Sequence, residues 1–413
     1  MSFMLETFNS TFCLRTDLMT QDTQSDDGLE IAPFYVMSVL ARAKELEAEG
    51  KDVIHLEVGE PDFKTPDAII EQAHKALDNG HLGYTPANGI LELRQHIANF
   101  YREQFGVEIS PDRIFITPGA SGALQLAMKA CIRSDQKLLL TEPGYPCNAN
   151  IAKVLGIETQ HCMLEKSRGY QPNTTDLFNT ADETTGAMLL ASPGNPTGSV
   201  IPQKNLEQLS ELAMQQGWQL IMDEIYSGLV YGDQQARSVL QINNNAWVVQ
   251  SFSKYFQMTG WRLGWLIVPE GFQSIVMRLA QNLYLSAPSI AQFAALAGFT
   301  SEVINQLEAR RLIFDERRQY MITALTDMGF EITAEPDGAF YVYADASAFT
   351  DDSLSFCEKL LEEACVAVAP GVDFGGLEAH SSIRFAYTQD IACIKKAMKR
   401  ISGFIEQQVS EAN

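Results

Sequence analysis

"AMLLASPGNPTG", Ala187–Gly198, starts as an unbroken apolar run and then breaks into a loop built on Pro193, Gly194, Asn195, Pro196 and Gly198. An apolar run without polar alternation is the text of a strand covered on both faces, as in a parallel sheet flanked by helices. Similar runs recur in both directions from it: Ile114–Ile116, Leu138–Leu140, Leu220–Met222, Val248–Val249 and Trp265–Val268. Helical text such as "KNLEQLSELAMQQG", 204–217, separates many of them, so the chain is predicted to be α/β with a mostly parallel sheet. Several runs end in loops of unusual content: "TPGASGA", "TEPGYP", "SPGNPTG", "MDEIYSG" and "QSFSK". In open α/β sheets ligands sit beyond the carboxyl ends of the strands, so these loops should converge on one crevice.

Length and charge narrow the field. A chain of 413 residues suggests two or three domains at roughly 150 residues each and can enclose a dry pocket. A net charge of −22 repels nucleic acid and anionic membrane surfaces. A DNA-binding regulator would need a basic module ahead of the sheet, and the residues before Ile31 are few and acidic. No apolar run reaches the roughly 18 residues of a membrane span. The seven cysteines form no CxxC pair and read as reduced thiols. The six histidines show no HExxH or other ligand spacing, so no metal is expected.

Further along, "FYVMSVLARAKELEAEG" puts Val36, Val39, Leu40, Ala43 and Leu46 on one helical face and stops at Gly50. Ser301–Met328 reads as one charged helix of about 42 Å. Beyond it, "FEITAEPDGAFYVYA", "VAVAPGVDFGG" and "SSIRFAYTQ" alternate strands and turns with helices, an α+β region.

The loop residues form a set. Lys254 supplies an amine, Asp223 an acid, and Ser251, Ser253 and Arg262 lie close to the lysine in "SFSKYFQMTGWRLGW". Each has an ordinary reading alone: a surface lysine, a capping aspartate, a helix cap at Gly119, Ala120 and Ser121. Together they match what pyridoxal 5'-phosphate requires, namely an amine for its aldehyde, an acid for its ring nitrogen and donors for its phosphate. A desolvated lysine near other cations has a lowered pKa, which favours Schiff-base formation and later general-base work at Cα. A carboxylate beside the pyridine nitrogen keeps that nitrogen protonated. Asn195 and Tyr226 are candidates for the ring oxygen, and Gly119, Ala120 and Ser121 offer a helix N-terminus to the phosphate. Tyr145 could stack on the ring, although aromatics are more often core. Arg384, inside the strand-like "SSIRFAY", calls for an anionic partner, which a substrate α-carboxylate would provide.

With these residues assembled, the chain resembles the class I/II aminotransferases of pyridoxal-phosphate fold type I, the aspartate aminotransferase superfamily. The likeness runs from about Ile31 to Ile401 and rests on "VGEPDF", "GYTPANGILELR", "PGASGAL", "EPGYPCN", "SPGNPTG", "DEIY", "SFSKYFQMTGWRLGW", "PDGAFYVYAD", "PGVDFG" and "IRFAY", in order. The resemblance implies a large domain with a seven-stranded sheet over 61–299 and a small α+β domain from 30–60 and 300–413. The lead-in, 1–29, is expected to be mobile. It also implies Lys254 as the Schiff-base lysine, Asp223 as the pyridine partner, and Asn195 and Tyr226 at the ring oxygen. Ser251, Ser253, Arg262 and the Ala120–Ser121 backbone would hold phosphate, Arg384 the substrate carboxylate, and Gly59 would approach that carboxylate. Tyr84 matches a tyrosine that reaches the neighbouring subunit's phosphate, which implies a homodimer with shared sites.

The expected activity is ping-pong transfer of an amino group between an L-amino acid and a 2-oxo acid, in the cytoplasm. The alternative on the same fold is C–S β-lyase or related Cα-carbanion chemistry. The substrate stays open: Arg237 and Arg278 are candidates for a distal carboxylate by sequence proximity alone, while Phe34, Tyr35, Tyr145 and Tyr284 leave apolar side chains open.

Overall fold

The structure, a computed structural model, describes Ile31 and residues 33–412. The predicted lead-in, 1–29, and Cys13 lie outside the described residues. Strands follow the chain as β1 (Ile54–His55), β2 (Ile114–Thr117), β3 (Lys137–Glu142), β4 (Thr159–Met163), β5 (Thr185–Ala191), β6 (Gln219–Asp223), β7 (Trp247–Ser251), β8 (Gly264–Ile267), β9 (Tyr341–Asp345), β10 (Val366–Ala367), β11 (Ala369–Pro370) and β12 (Ser382–Ala386).

Seven of them form the main sheet in the order β2-β8-β7-β6-β5-β3-β4. All its pairs are parallel except those made by β8, which runs antiparallel to both β2 and β7. Side chains alternate between two apolar cores. Met188, Leu190, Leu220, Met222, Val248 and Ile267 pack on one face, and Ala187, Leu189, Ile221, Trp247, Val249 and Leu266 on the other. Both faces are dry, which is why the strands read as continuous apolar runs. The strand that the sequence does not reveal is β4, "TQHCM": it lies at the sheet edge with most of its residues only half-buried, so no apolar run marks it.

The predicted helices form at Tyr35–Ala48 and Ser301–Met328. The second ends at Gly329, whose φ of 101° closes the helix without a Cβ penalty. An antiparallel sheet of β11, β12 and β9 follows. β1 pairs in parallel with β10, which brings the region after the first helix against the last third of the chain. Among the described residues, no helix is long and apolar enough to cross a membrane. The six described cysteines are free.

Candidate active site

Five of the predicted loops open at one edge of the main sheet, because β2, β3, β5, β6 and β7 all end there. β8 completes the set for a geometric reason: being antiparallel, it starts where its neighbours end, so Arg262, two residues before it, arrives at the same edge. A cavity of about 300 Å³ lies at this edge, lined among others by Ala120, Ser121, Tyr145, Asn195, Asp223, Tyr226, Ser251, Ser253, Lys254, Arg262, Arg384 and Gly59.

The turn after β7 shows how the sequence aims these groups. Phe252, Phe256 and Met258 are buried in the core beneath it, while the interleaved Ser251, Ser253 and Lys254 line the cavity. Ser253 N–H donates to Ser251 Oγ (3.0 Å), which stiffens the turn. Lys254 Nζ donates to the Gly59 carbonyl at 2.7 Å and sits 5.7 Å and 5.5 Å from the ring centres of Tyr226 and Phe340. Burial lowers its pKa; Arg384 and Arg262 push the same way, and Tyr341 and Glu60 oppose. The cavity therefore favours an uncharged, nucleophilic amine.

Asp223 ends β6 as a buried carboxylate. Its Oδ1 accepts from Ile225 N–H (3.1 Å), and Oδ2 has no protein donor among the described residues. Burial pushes its pKa up to about 6, against the Ile225 hydrogen bond and Lys254. A buried carboxylate with one open oxygen suits a cationic N–H partner.

The helix Gly119–Cys131 presents its first turn to the cavity with no side-chain cap. Its approach depends on two glycines. A Cβ at Gly119, where φ is +70°, would lie 2.7 Å from Arg262 Nη2, and a Cβ at Gly264 would lie 2.7 Å from the Gly119 carbonyl carbon. Arg262 itself takes φ 53° and anchors Nη1 on the Thr259 carbonyl (2.9 Å), leaving Nη2 beside the helix terminus. Free N–H groups, a serine hydroxyl and a guanidinium make an anion site.

Arg384, on β12, is buried. It donates to Asn195 Oδ1 (2.9 Å) and to the Glu57 carbonyl (2.5 Å), and its plane lies over the rings of Tyr341 and Phe374 at 4.2 Å and 4.7 Å. Tyr226 Oη pairs with Tyr341 Oη at 2.9 Å, and burial raises the Tyr226 pKa well above the phenol value. Tyr341 is the residue the sequence reading missed, although it stands in the quoted "PDGAFYVYAD": it touches Tyr226 and Arg384, and a Cβ on Gly59 would collide with it. Buried Glu57 was missed as well.

Other candidates fall elsewhere. Arg237 donates to Gln203 and borders a different, small cavity. Arg278 donates to Ser274 Oγ on an exposed helical face. Tyr35 and Tyr284 do not line the main cavity, whereas Phe34 does. Tyr84 is 84% exposed and contributes nothing to the cavity of its own chain.

The model of the family "Aminotransferase class I and II" matches residues 51–401. The chain belongs to the class I and II aminotransferases. It is 38% identical over 379 residues to a valine–pyruvate aminotransferase of Mycobacterium tuberculosis, covering 92% of this chain and 97% of the relative. It is 36% identical to a (5-formylfuran-3-yl)methyl phosphate transaminase of Methanocaldococcus jannaschii, over 92% of this chain and 98% of that one. A crystal structure of an aminotransferase from Mycobacterium tuberculosis superposes with a TM-score of 0.88 at 38% identity, covering 91% and 97% of the two chains. The fold is that of the fold type I aminotransferases, and this aminotransferase moves amino groups; the lyase alternative is not favoured.

Proposed function

We propose that this aminotransferase works with pyridoxal 5'-phosphate and exchanges amino groups between L-amino acids with apolar side chains and 2-oxo acids. The observation that carries the reading is the joint placement of Lys254, Asp223, Arg262 and Arg384 around one cavity. The donor set fits the coenzyme: an amine whose pKa burial lowers, a buried carboxylate with one open oxygen, and a helix terminus without a side-chain cap beside Arg262. Lys254 would hold its aldehyde carbon, Asp223 its ring nitrogen, and Asn195 and Tyr226 its ring oxygen. Tyr145 would lie against the ring, while Gly119, Ala120, Ser121, Ser251, Ser253 and Arg262 would hold its phosphate. When bound, the coenzyme supplies an electron-withdrawing ring that stabilises negative charge at the substrate Cα. The remaining work falls to the chain. Arg384, flanked by Asn195 and the Gly59 backbone, orients the substrate carboxylate, and Lys254 Nζ takes the proton from Cα as a general base. The amino donor and the oxo-acid acceptor occupy the cavity in turn.

The preference for apolar side chains is supported by the wall: Phe34, Val36, Met37, Val58, Leu124 and Ile225 face the cavity. Its cations among the described residues are Lys254, Arg262 and Arg384, each already assigned, and Arg237 and Arg278 lie elsewhere. The valine–pyruvate relative points the same way. A panel of amino acids with pyruvate as acceptor tests it. Valine, leucine or phenylalanine should exceed aspartate in kcat/KM by at least about tenfold, since a missing counter-charge for a buried carboxylate costs more than about 1.4 kcal/mol. Aspartate as the best donor would reject the apolar reading.

We further propose a cytoplasmic homodimer whose two sites are shared through Tyr84, with the large domain at 61–299 and the small domain at 30–60 and 300–413. Tyr84 is exposed, as are Leu77, Leu82, Leu91, Leu283 and Leu285. Ser289 Oγ donates to the Gly83 carbonyl, which ties the 83 loop to the helix after Leu285. Exposed apolar groups of this kind suit a second copy.

A further inference from the structure

Behind Arg384 lies a charged cluster that the reaction does not use. Glu57 is fully buried, and its Oε2 has no hydrogen-bond partner among the described residues. Its Oε1 is 2.7 Å from His55 Nδ1, and the other ring nitrogen, Nε2, is 3.1 Å from Glu47 Oε1 on the first helix. A carboxylate oxygen faces each nitrogen, so both nitrogens must donate, and the ring that fits is the doubly protonated imidazolium.

The same Glu57 carries the carbonyl that takes Arg384 Nη2 at 2.5 Å. The flanking main chain is pinned, with Leu56 N–H on the Ala367 carbonyl and Ala386 N–H on the Leu56 carbonyl. At Glu57 itself no main-chain bond is made by its N–H among the described residues, so its peptide is held by its side chain and by Arg384. Arg384 Nε has no partner among the described residues either, so the guanidinium is aimed by Asn195 and the Glu57 carbonyl.

We propose that His55 and Glu57 are positioning residues for the carboxylate-binding arginine: the imidazolium, clamped between Glu47 and Glu57, fixes the peptide that aims Arg384. This rests on the reading that Arg384 binds the substrate carboxylate. His55 then makes substrate affinity depend on pH without touching substrate. Its pKa is raised chiefly by the hydrogen bond to Glu57, against burial and with help from Glu47. The clamp is complete below the ordinary imidazole range and is lost as pH rises through the raised value. The other charges nearby are already engaged. Lys44 pairs with Glu47 (2.8 Å), and Lys396 and Arg400 of the C-terminal helix pair with Asp52. Val366 and Ala367, on the adjoining strand, carry no charge.

The test uses isovalerate, a carboxylate with neither amine nor carbonyl, titrated into the holoenzyme and followed by the coenzyme's absorbance from about pH 6 to about pH 9. In the wild type the isovalerate Kd should rise as His55 deprotonates. In H55Q and in E57Q it should be raised roughly tenfold at the acid end and lose that inflection, while kcat changes by less than about threefold. E47Q, altered at a half-exposed position, covers the case in which the buried variants fail to fold: it should move the inflection to lower pH. Unchanged Kd values and an unmoved inflection in these variants would overturn the proposal, as would a kcat loss matching the loss of affinity. R384Q separates the two readings. If it abolishes isovalerate binding while H55Q and E57Q bind normally, the arginine reading stands and the clamp is refuted; if R384Q binds normally, both are refuted.

Discussion

At the scale of single residues, the site is a collection of groups held at some cost in stability. Asp223 shows the sign. Its carboxyl is pushed up to about 6 by burial, above the unfolded value near 4. A carboxyl raised by folding costs nothing below about pH 4, and its penalty grows as pH rises and is complete above about pH 6. Replacing Asp223 with Asn should therefore stabilise the coenzyme-free protein at pH 7 by up to about 3 kcal/mol, with little effect near pH 4, while abolishing transfer. Urea unfolding at the two pH values measures this, and an equal or lower stability of D223N at pH 7 would mean that Asp223 is not a strained acid. Lys254, Asp223 and Asn195 were legible in the sequence because their chemistry is tied to strand ends, and Arg384 because a charge inside an apolar strand calls for a partner. Tyr341 and Glu57 were not: each acts through a partner distant in sequence, Tyr226 or Arg384, and nothing local marks either contact.

At the scale of elements, the strands of the main sheet announce themselves because both of their faces are buried, and β4 stays hidden because it lies at an edge. The first helix adds a contact that no sequence window contains. Its own N-cap, Phe34, offers no capping side chain. Asp373 does so from the "PGVDFG" segment, accepting from Tyr35 N–H and Val36 N–H, both at 2.7 Å. That cap fixes the helix start from which Phe34, Val36 and Met37 face the cavity. D373A should cost about 1–2 kcal/mol of stability, the usual loss for a cap. It should also raise KM for apolar amino acids more than it lowers kcat, because the wall loosens while Lys254 and Asp223 stay in place. Thermal unfolding and steady-state kinetics measure both, and a change in neither would leave the cap without a role.

For the whole molecule, the order of the strands does what no single loop could. One antiparallel strand, β8, carries Arg262 to the edge where the parallel strands end, and the β1–β10 pairing carries Gly59 and the last third of the chain, with Arg384, toward the same edge. The continuous apolar runs made the α/β class legible, whereas the order of strands was not readable in the sequence, since runs of equal apolarity carry no record of their neighbours. The proposed dimer extends this logic beyond one chain. Y84F should weaken retention of the coenzyme by roughly tenfold, the loss of one hydrogen bond to a charged phosphate, with sedimentation showing two copies in both proteins; a monomeric, fully active wild type would exclude shared sites. The most direct test is the visible spectrum of the protein reconstituted with pyridoxal 5'-phosphate, beside K254A. In the wild type a visible coenzyme band should fade on addition of valine and return on addition of pyruvate, and K254A should lose that cycle. A wild-type band that no amino acid alters, or a K254A protein that still cycles, would contradict the assignment of Lys254 and with it the proposed chemistry of the site.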